Sequence, residues 1–229
     1  MDIFWRLVLA HFISDFTLQT NKVASSKRKN YGGMLIHILT HPVVMTILVW
    51  PYLSWPWVQT RWFRLDGWVC VGLLTLFHWL EDEWRIWSIQ EAGSPDNTGF
   101  MLWDQVVHVT MILAFSPATP VVPTQPWILP VLCGVLLSHF LSVLIFFLEN
   151  DLWGDSRILV EWKYQDIGER LVAVGLLLLP GAWFLLAFPW MGSLVYVHYY
   201  RQKQWTWVHV LLGNLAVVLL GLLVRGVLS

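Results

Sequence analysis

Long apolar runs alternate with short polar links along this chain, and inside the first four runs a polar residue returns at the fourth position after another. A helix that crosses a bilayer needs about 20 mostly apolar residues. Seven stretches meet that need: 3–19, 34–53, 66–87, 100–115, 127–148, 167–188 and 205–224. The pattern therefore predicts an all-α fold, a polytopic transmembrane helix bundle of about seven spans. Pro42 interrupts the second span and is expected to bend it beside His41, since proline removes a backbone donor from the helix interior. Pro180 is expected to kink the sixth. The stretch 189–204 reads as a loop, a re-entrant segment or an additional short span. Domain organisation follows as a His/Asp-rich membrane core of four helices over 1–117 and a membrane half of three or four helices over 118–229, with a polar loop at 149–166.

Composition agrees with a membrane protein. Hydrophobic residues make up 57% and charged residues 13%, with a mean hydropathy of +0.59, against roughly 25% charged in a soluble domain. The net charge of -1 gives no basic surface for nucleic acid. Lys22, Lys27, Arg28 and Lys29 are nevertheless gathered in the first polar link, which makes that link cytoplasmic by the positive-inside bias. With seven spans, nine Lys and Arg fall on that side and five on the other, so the N-terminus is expected outside. The first apolar run lacks a basic flank and carries polar residues, and reads as a retained helix. Cys70 and Cys133 lie inside apolar runs and are expected to be buried thiols of low reactivity.

The polar residues inside the spans carry the chemistry. His11/Asp15, His37/His41, His78/Asp82 and Asp104/His108 are each four apart, on one face of a helix. Imidazole and carboxylate are costly in hydrocarbon, so four such pairs imply a common purpose. At a rise of about 1.5 Å per residue, His11, His41, His78 and His108 form a deep layer. Asp15, His37, Asp82 and Asp104 form a shallow one nearer the predicted cytoplasmic edge. Two layers about 6 Å apart suit two divalent ions, and nitrogen and oxygen donors suit Zn, Fe or Mn. Asp15, Asp82 and Asp104 are the candidate catalytic carboxylates, acting as bases toward a metal-activated water. A hydrogen-bond network without metal, a haem and a proton pathway remain as alternatives.

Outside these pairs, HFLS at His139 echoes HFIS at His11, but Val143 stands where a carboxylate would be. His139 therefore reads as a packing contact, with a ligand role as the alternative. Glu149, Asp151, Asp166, Glu169 and Arg170 read as solvated helix ends that could line an entrance. His198 and His209 are excluded, the first as a loop residue and the second as lying at the opposite membrane face.

With H-x-x-x-D-F-x-L-Q at His11, Asp15, Phe16, Leu18 and Gln19, then His37/His41, His78/Asp82 and Asp104/Gln105/His108 in order, the chain resembles an uncharacterised family of bacterial integral membrane proteins. The resemblance covers about the first 115 residues. It implies a multi-pass protein of the bacterial inner membrane and brings no activity. A looser likeness of residue type, without aligned motifs, links it to membrane-embedded metal-dependent hydrolases. The expected function is hydrolysis of an amphiphilic, phosphoester-bearing lipid at the cytoplasmic side. Two other classes compete: a di-iron membrane oxidoreductase, and a divalent-cation carrier or sensor without enzymatic activity.

Overall fold

The computed structural model describes residues 1–117, 123–154, 163–203 and 205–228. Among the described residues the chain is all-α except for one two-stranded hairpin, and it divides into two compact units, Met1–Ile128 and Leu129–Ser229. In the first unit, α1 (Asp2–Phe12) continues as a π-helical turn, Ile13–Leu18, and the short α2 (Asn21–Lys27) follows. Next come α3 (Tyr31–Val49), the hairpin β1 (Pro56–Gln59) and β2 (Arg64–Asp66), α4 (Gly67–Gln90) and α5 (Thr98–Phe115). α1 packs on α3 and α5, α3 on α4, and α4 on α5. The four long helices thus close a ring with up-down-up-down connections, the arrangement in which bundles build interior sites.

Side-chain caps punctuate these elements. Asn30 accepts from the Gly33 amide, Asp66 from Val69 and Asn97 from Phe100, each satisfying a donor that the first helical turn leaves open. The hairpin before α4 was not predicted from the sequence: the Trp- and Pro-rich link pairs Pro56 with Asp66 and Gln59 with Arg64. Pro42 lies inside α3, as expected.

The bundle is apolar outside and polar inside. On α3, Leu35, Ile36, Leu39, Val43 and Ile47 are exposed, while His37 and His41 are fully buried. Among the described residues, four helices are long and apolar enough to cross a membrane: Tyr31–Tyr52, Thr98–Phe115, Ile128–Trp153 and Trp207–Leu228. Every membrane-length window of α4 includes Glu81, Asp82 and Glu83, and α1 with its π turn covers residues 2–18.

The second unit contains α6 (Ile128–Val135), a π turn at Leu136–Phe140 and α7 (Leu141–Trp153). These are followed by α8 (Lys163–Leu177), α9 (Ala187–Leu194) with a π extension Val195–Arg201, and α10 (Trp207–Leu228). Residues 155–162 of the predicted polar loop lie outside the described residues. Leu137, Leu141, Ile145, Ala173, Leu177, Ala187, Met191 and Val217 form its core. Gly221 lets α10 and α8 approach closely: a Cβ there would lie 2.5 Å from Leu177 Cδ1, so the buried leucine side chain would have to shift.

Here the structure departs from the predicted sixth span. Pro180 ends the helical run instead of kinking it: α8 stops at Leu177 and a 3-10 segment, Gly181–Leu186, leads into α9. The stretch read as ambiguous is helical and returns the chain, so α10 begins at the end where α8 began. His209 Nε2 consequently lies 3.1 Å from an Arg170 guanidinium nitrogen and 3.6 Å from Asp166, and His198 Nε2 lies 3.1 Å from Glu169. Placing His209 at the opposite face was therefore incorrect, and His198 is in a helix. Arg170, Asp166 and Glu149 are buried and not solvated ends. Arg170 also donates to the Leu137 carbonyl and Ser142 Oγ, and Thr206 Oγ1 donates to Glu149.

Candidate metal centre

The site forms because each of the four ring helices turns its polar pair inward. On α1, the π turn begins directly after His11 and Phe12 and carries Asp15 toward the bundle axis; wide turns of this kind are frequent at functional sites. His11, His37, His41, His78, Asp82, Asp104 and His108 are all at most 4% exposed, and Asp15 is 8% exposed. Imidazoles of the predicted deep layer adjoin one another: ring centroids are 3.7 Å apart for His41 and His78, 4.2 Å for His78 and His108, and 5.0 Å for His11 and His108.

Asp15 is the hub. Its Oδ1 lies 3.0 Å from His41 Nε2 and 3.5 Å from the Nε2 atoms of His37 and His78, and its Oδ2 is 3.6 Å from His11 Nε2. His37 and His78 present their Nε2 atoms to each other at 3.3 Å. Around a tetrahedral divalent ion with bonds of about 2.1 Å, donor atoms stand about 3.4 Å apart. Four of the six edges of such a tetrahedron are thus present among Asp15, His37, His41 and His78. Asp82 flanks this group, with Oδ2 2.9 Å from His37 Nε2 and 3.6 Å from His78 Nε2.

Two further donor groups adjoin it. His11, Asp15, His78 and His108 bring ligand atoms within 4.8 Å of one another, as do Glu81, Asp104 and His108. The eight residues singled out from the sequence are therefore brought together, but the predicted shallow layer divides. Asp104 belongs with Glu81 and His108, whereas Asp15 joins both of the His-rich groups. Gln105 bridges the two regions by donating to Asp104 Oδ2 at 2.8 Å while its Oε1 meets His11 Nε2 at 3.0 Å.

Glu81 was missed in the sequence, where it reads as one more charge in the helix-end run WLEDEW. The available signal was its spacing: three residues after His78, it shares that face of α4. Its Oε2 lies 3.2 Å from His108 Nε2. Lys27 was read as a topology signal, yet its ammonium lies 3.2 and 3.3 Å from the Asp82 oxygens. His139 lies in the second unit, beside Ser138 Oγ at 3.3 Å, and belongs to none of the donor groups among the described residues. Cys70 and Cys133 are buried free thiols and are absent from those groups too.

Some buried polar atoms here lack a hydrogen bond, among them the Nδ1 atoms of His37 and His41, while Asp15 Oδ1 meets His41 Nε2 and Glu81 Oε2 meets His108 Nε2 as ion pairs. Native interiors rarely leave such atoms unsatisfied. The carboxylates of Asp15, Asp82 and Asp104 face Lys27, Arg85, the latter 3.7 Å from Asp104, and the surrounding imidazoles. Convergent nitrogen and oxygen donors are the requirement of a bound cation, and these clusters can hold a metal ion.

Fold and site together define a helical protein with a buried His/Asp cluster suited to metal. A family described as "Protein of unknown function (DUF3307)" matches residues 3–133, more than half of the chain, and the chain belongs to that family. The match takes in all four polar pairs, α1 from Ile3 onward and all of α2 to α5. No curated protein and no solved structure matches the chain.

Proposed function

We propose that this chain is a multi-pass protein of the bacterial inner membrane with its first link in the cytoplasm, and that it is a metal-dependent hydrolase of an amphiphilic, phosphoester-bearing lipid. The observation that carries this reading is the set of 3.0–3.5 Å separations among Asp15, His37, His41 and His78, which match the donor spacing of a tetrahedral divalent site. His11 and His108 with Asp15 supply a second position, with His78 Nε2 serving one ion at a time, giving two ions, Zn, Fe or Mn. Such an ion would lower the pKa of a bound water to about 7 and so furnish a nucleophile. Asp15 orients the imidazoles from the centre. Asp82 and Asp104 stand at its edge as candidate bases, and Gln105 holds the Asp104 carboxylate by a hydrogen bond.

Lipid is the expected partner because the exposed faces of α3, α5 and α10 are apolar, including Ile47, Val106 and Leu219. Lys22 and Lys29 are exposed beside the end of the bundle where Lys27 meets Asp82, a placement that would gather phosphate groups. Transport fits less well. Beyond the imidazoles, the buried residues of the ring helices include Met45, Val49, Leu74 and Ile112, and Asp2, the buried charge at that end of α1, is held in a 2.6 Å ion pair with Arg6. A second reading, a di-iron oxidoreductase, is favoured by the carboxylate-rich group of Glu81, Asp104 and His108.

Elemental analysis of detergent-purified protein, followed by phosphate-ester release from phospholipid in mixed micelles, tests the proposal. Stoichiometric metal and turnover in the parent, with both lost in a folded Asp15→Asn variant, support it. Iron with turnover only in the presence of a reductant supports the oxidoreductase instead. Negligible metal in a folded parent supplied with Zn, Fe and Mn overturns both.

A further inference from the structure

Lys27 ends α2 and reaches into the bundle, where its side chain is only 10% exposed. Its ammonium lies 3.2 and 3.3 Å from the two oxygens of Asp82 and 3.4 Å from His37 Nε2. His37 Nε2 belongs to the donor set described above and the Asp82 oxygens flank it, so a protein cation already engages part of the place where a divalent ion would sit. The conflict is one of lone pairs. A neutral imidazole nitrogen has one lone pair in the ring plane, and His37 Nε2 can give it to a Lys27 N–H or to a metal, not to both.

The position of Lys27 is fixed by packing. α2 lies so close to α3 that a Cβ on Gly33 would be 2.4 Å from the Ser26 carbonyl carbon. Next to Lys27, Arg28 forms a 2.6 Å ion pair with Asp96, and its carbonyl accepts from Gln90 Nε2 at 3.1 Å. These contacts anchor α2 to the end of α4 and to the link before α5. Long, flexible and singly charged, a lysine side chain can withdraw to the surface while its helix stays in place.

We propose that Lys27 is a tethered cation that competes with a divalent ion for His37 and Asp82, and so decides whether the centre holds one ion or two. This rests on the metal-centre reading. The ion held by His11, Asp15, His78 and His108 does not involve Lys27, whereas the ion that recruits His37 must displace it. Substrate arriving at the same end offers the freed ammonium a new anion, a phosphate oxygen, in place of Asp82.

Titration of the purified full chain with Zn2+ alone, in parent, Lys27→Met and Lys27→Arg, tests this. Removal of a like charge beside the second ion is expected to tighten that binding step at least about tenfold in Lys27→Met, leaving the first step unchanged. Lys27→Arg, which keeps the charge, should stay near the parent. An independent readout uses the parent only: acylation of Lys27 by an amine-reactive probe, followed by peptide mass spectrometry, should accelerate when Zn2+ is added. Two bound ions with equal affinity in parent and Lys27→Met, or Zn2+ binding without a change in Lys27 acylation, overturns the competition and leaves the metal centre standing. Absence of Zn2+ binding in parent and variants overturns both.

Discussion

Asp15 Oδ1 and His41 Nε2 lie 3.0 Å apart, joining the π turn after α1 to the Pro42-interrupted helix α3. No other side chain of the cluster belongs to both His-rich donor groups except His78, which makes Asp15 the anionic link between the two proposed ions.

Removing that link should therefore differ from removing a peripheral ligand. Asp15→Asn is expected to abolish binding of both ions, whereas His41→Ala should remove one and leave the His11/His108 side occupied. Metal content per folded chain checks this, with circular dichroism confirming helicity.

Chelation should weaken the fold and not merely silence it. Without a bound cation, the buried carboxylates have only Lys27, Arg85 and the imidazoles to face. An ion present at about 1,000 times its Kd contributes about 4 kcal/mol. Thermal unfolding in detergent should shift downward on addition of a chelator and recover on return of the metal.

Glu81 is expected to matter to metal retention although it lies outside the HxxxH, HxxxD and DxxxH spacings. Glu81→Gln keeps the size of the side chain and replaces one carboxylate oxygen beside His108 and Asp104 with an amide nitrogen, which cannot ligate a metal. Loss of metal affinity without loss of helicity is the expected result; unchanged metal content would place Glu81 outside the centre.

In the second unit, Arg170→Met should destabilise by about 3 kcal/mol. The guanidinium donates to Leu137, Ser142 and His209, and truncation strands these buried partners. Denaturant or thermal unfolding checks the size of the effect, while metal content, set by the first unit, should not change.

Orientation is open to labelling. Arg28 and Asp96 meet at one end of the first unit, and Asp2 and Gln125 at the other. Cysteines at Lys29 and at Trp62 should react with an impermeant reagent from opposite sides of the membrane, Lys29 from the cytoplasm. The native Cys70 and Cys133 are buried and should give little background.

The four inward pairs were legible because helical spacing alone places i and i+4 on one face, and because polar residues are rare in apolar runs. Their gathering could be read from depth, but their partition could not. Which carboxylate joins which imidazoles depends on the rotation of α4 and α5 in the ring, and this is what separated Asp104 from Asp15. Glu81 and Lys27 were hidden for a different reason: at helix ends charged residues are usually solvated, and only tertiary packing turns them inward. In the second half, the error over His209 came from one proline. Treating Pro180 as a kink kept the helix running and inverted the face assigned to everything after it.

All eight residues singled out from the sequence, and Glu81 with them, occur before the end of α5 at Phe115. During synthesis the ion-holding cage can thus assemble while the last hundred or so residues are still on the ribosome, so that loading with metal need not wait for the rest of the chain to be inserted.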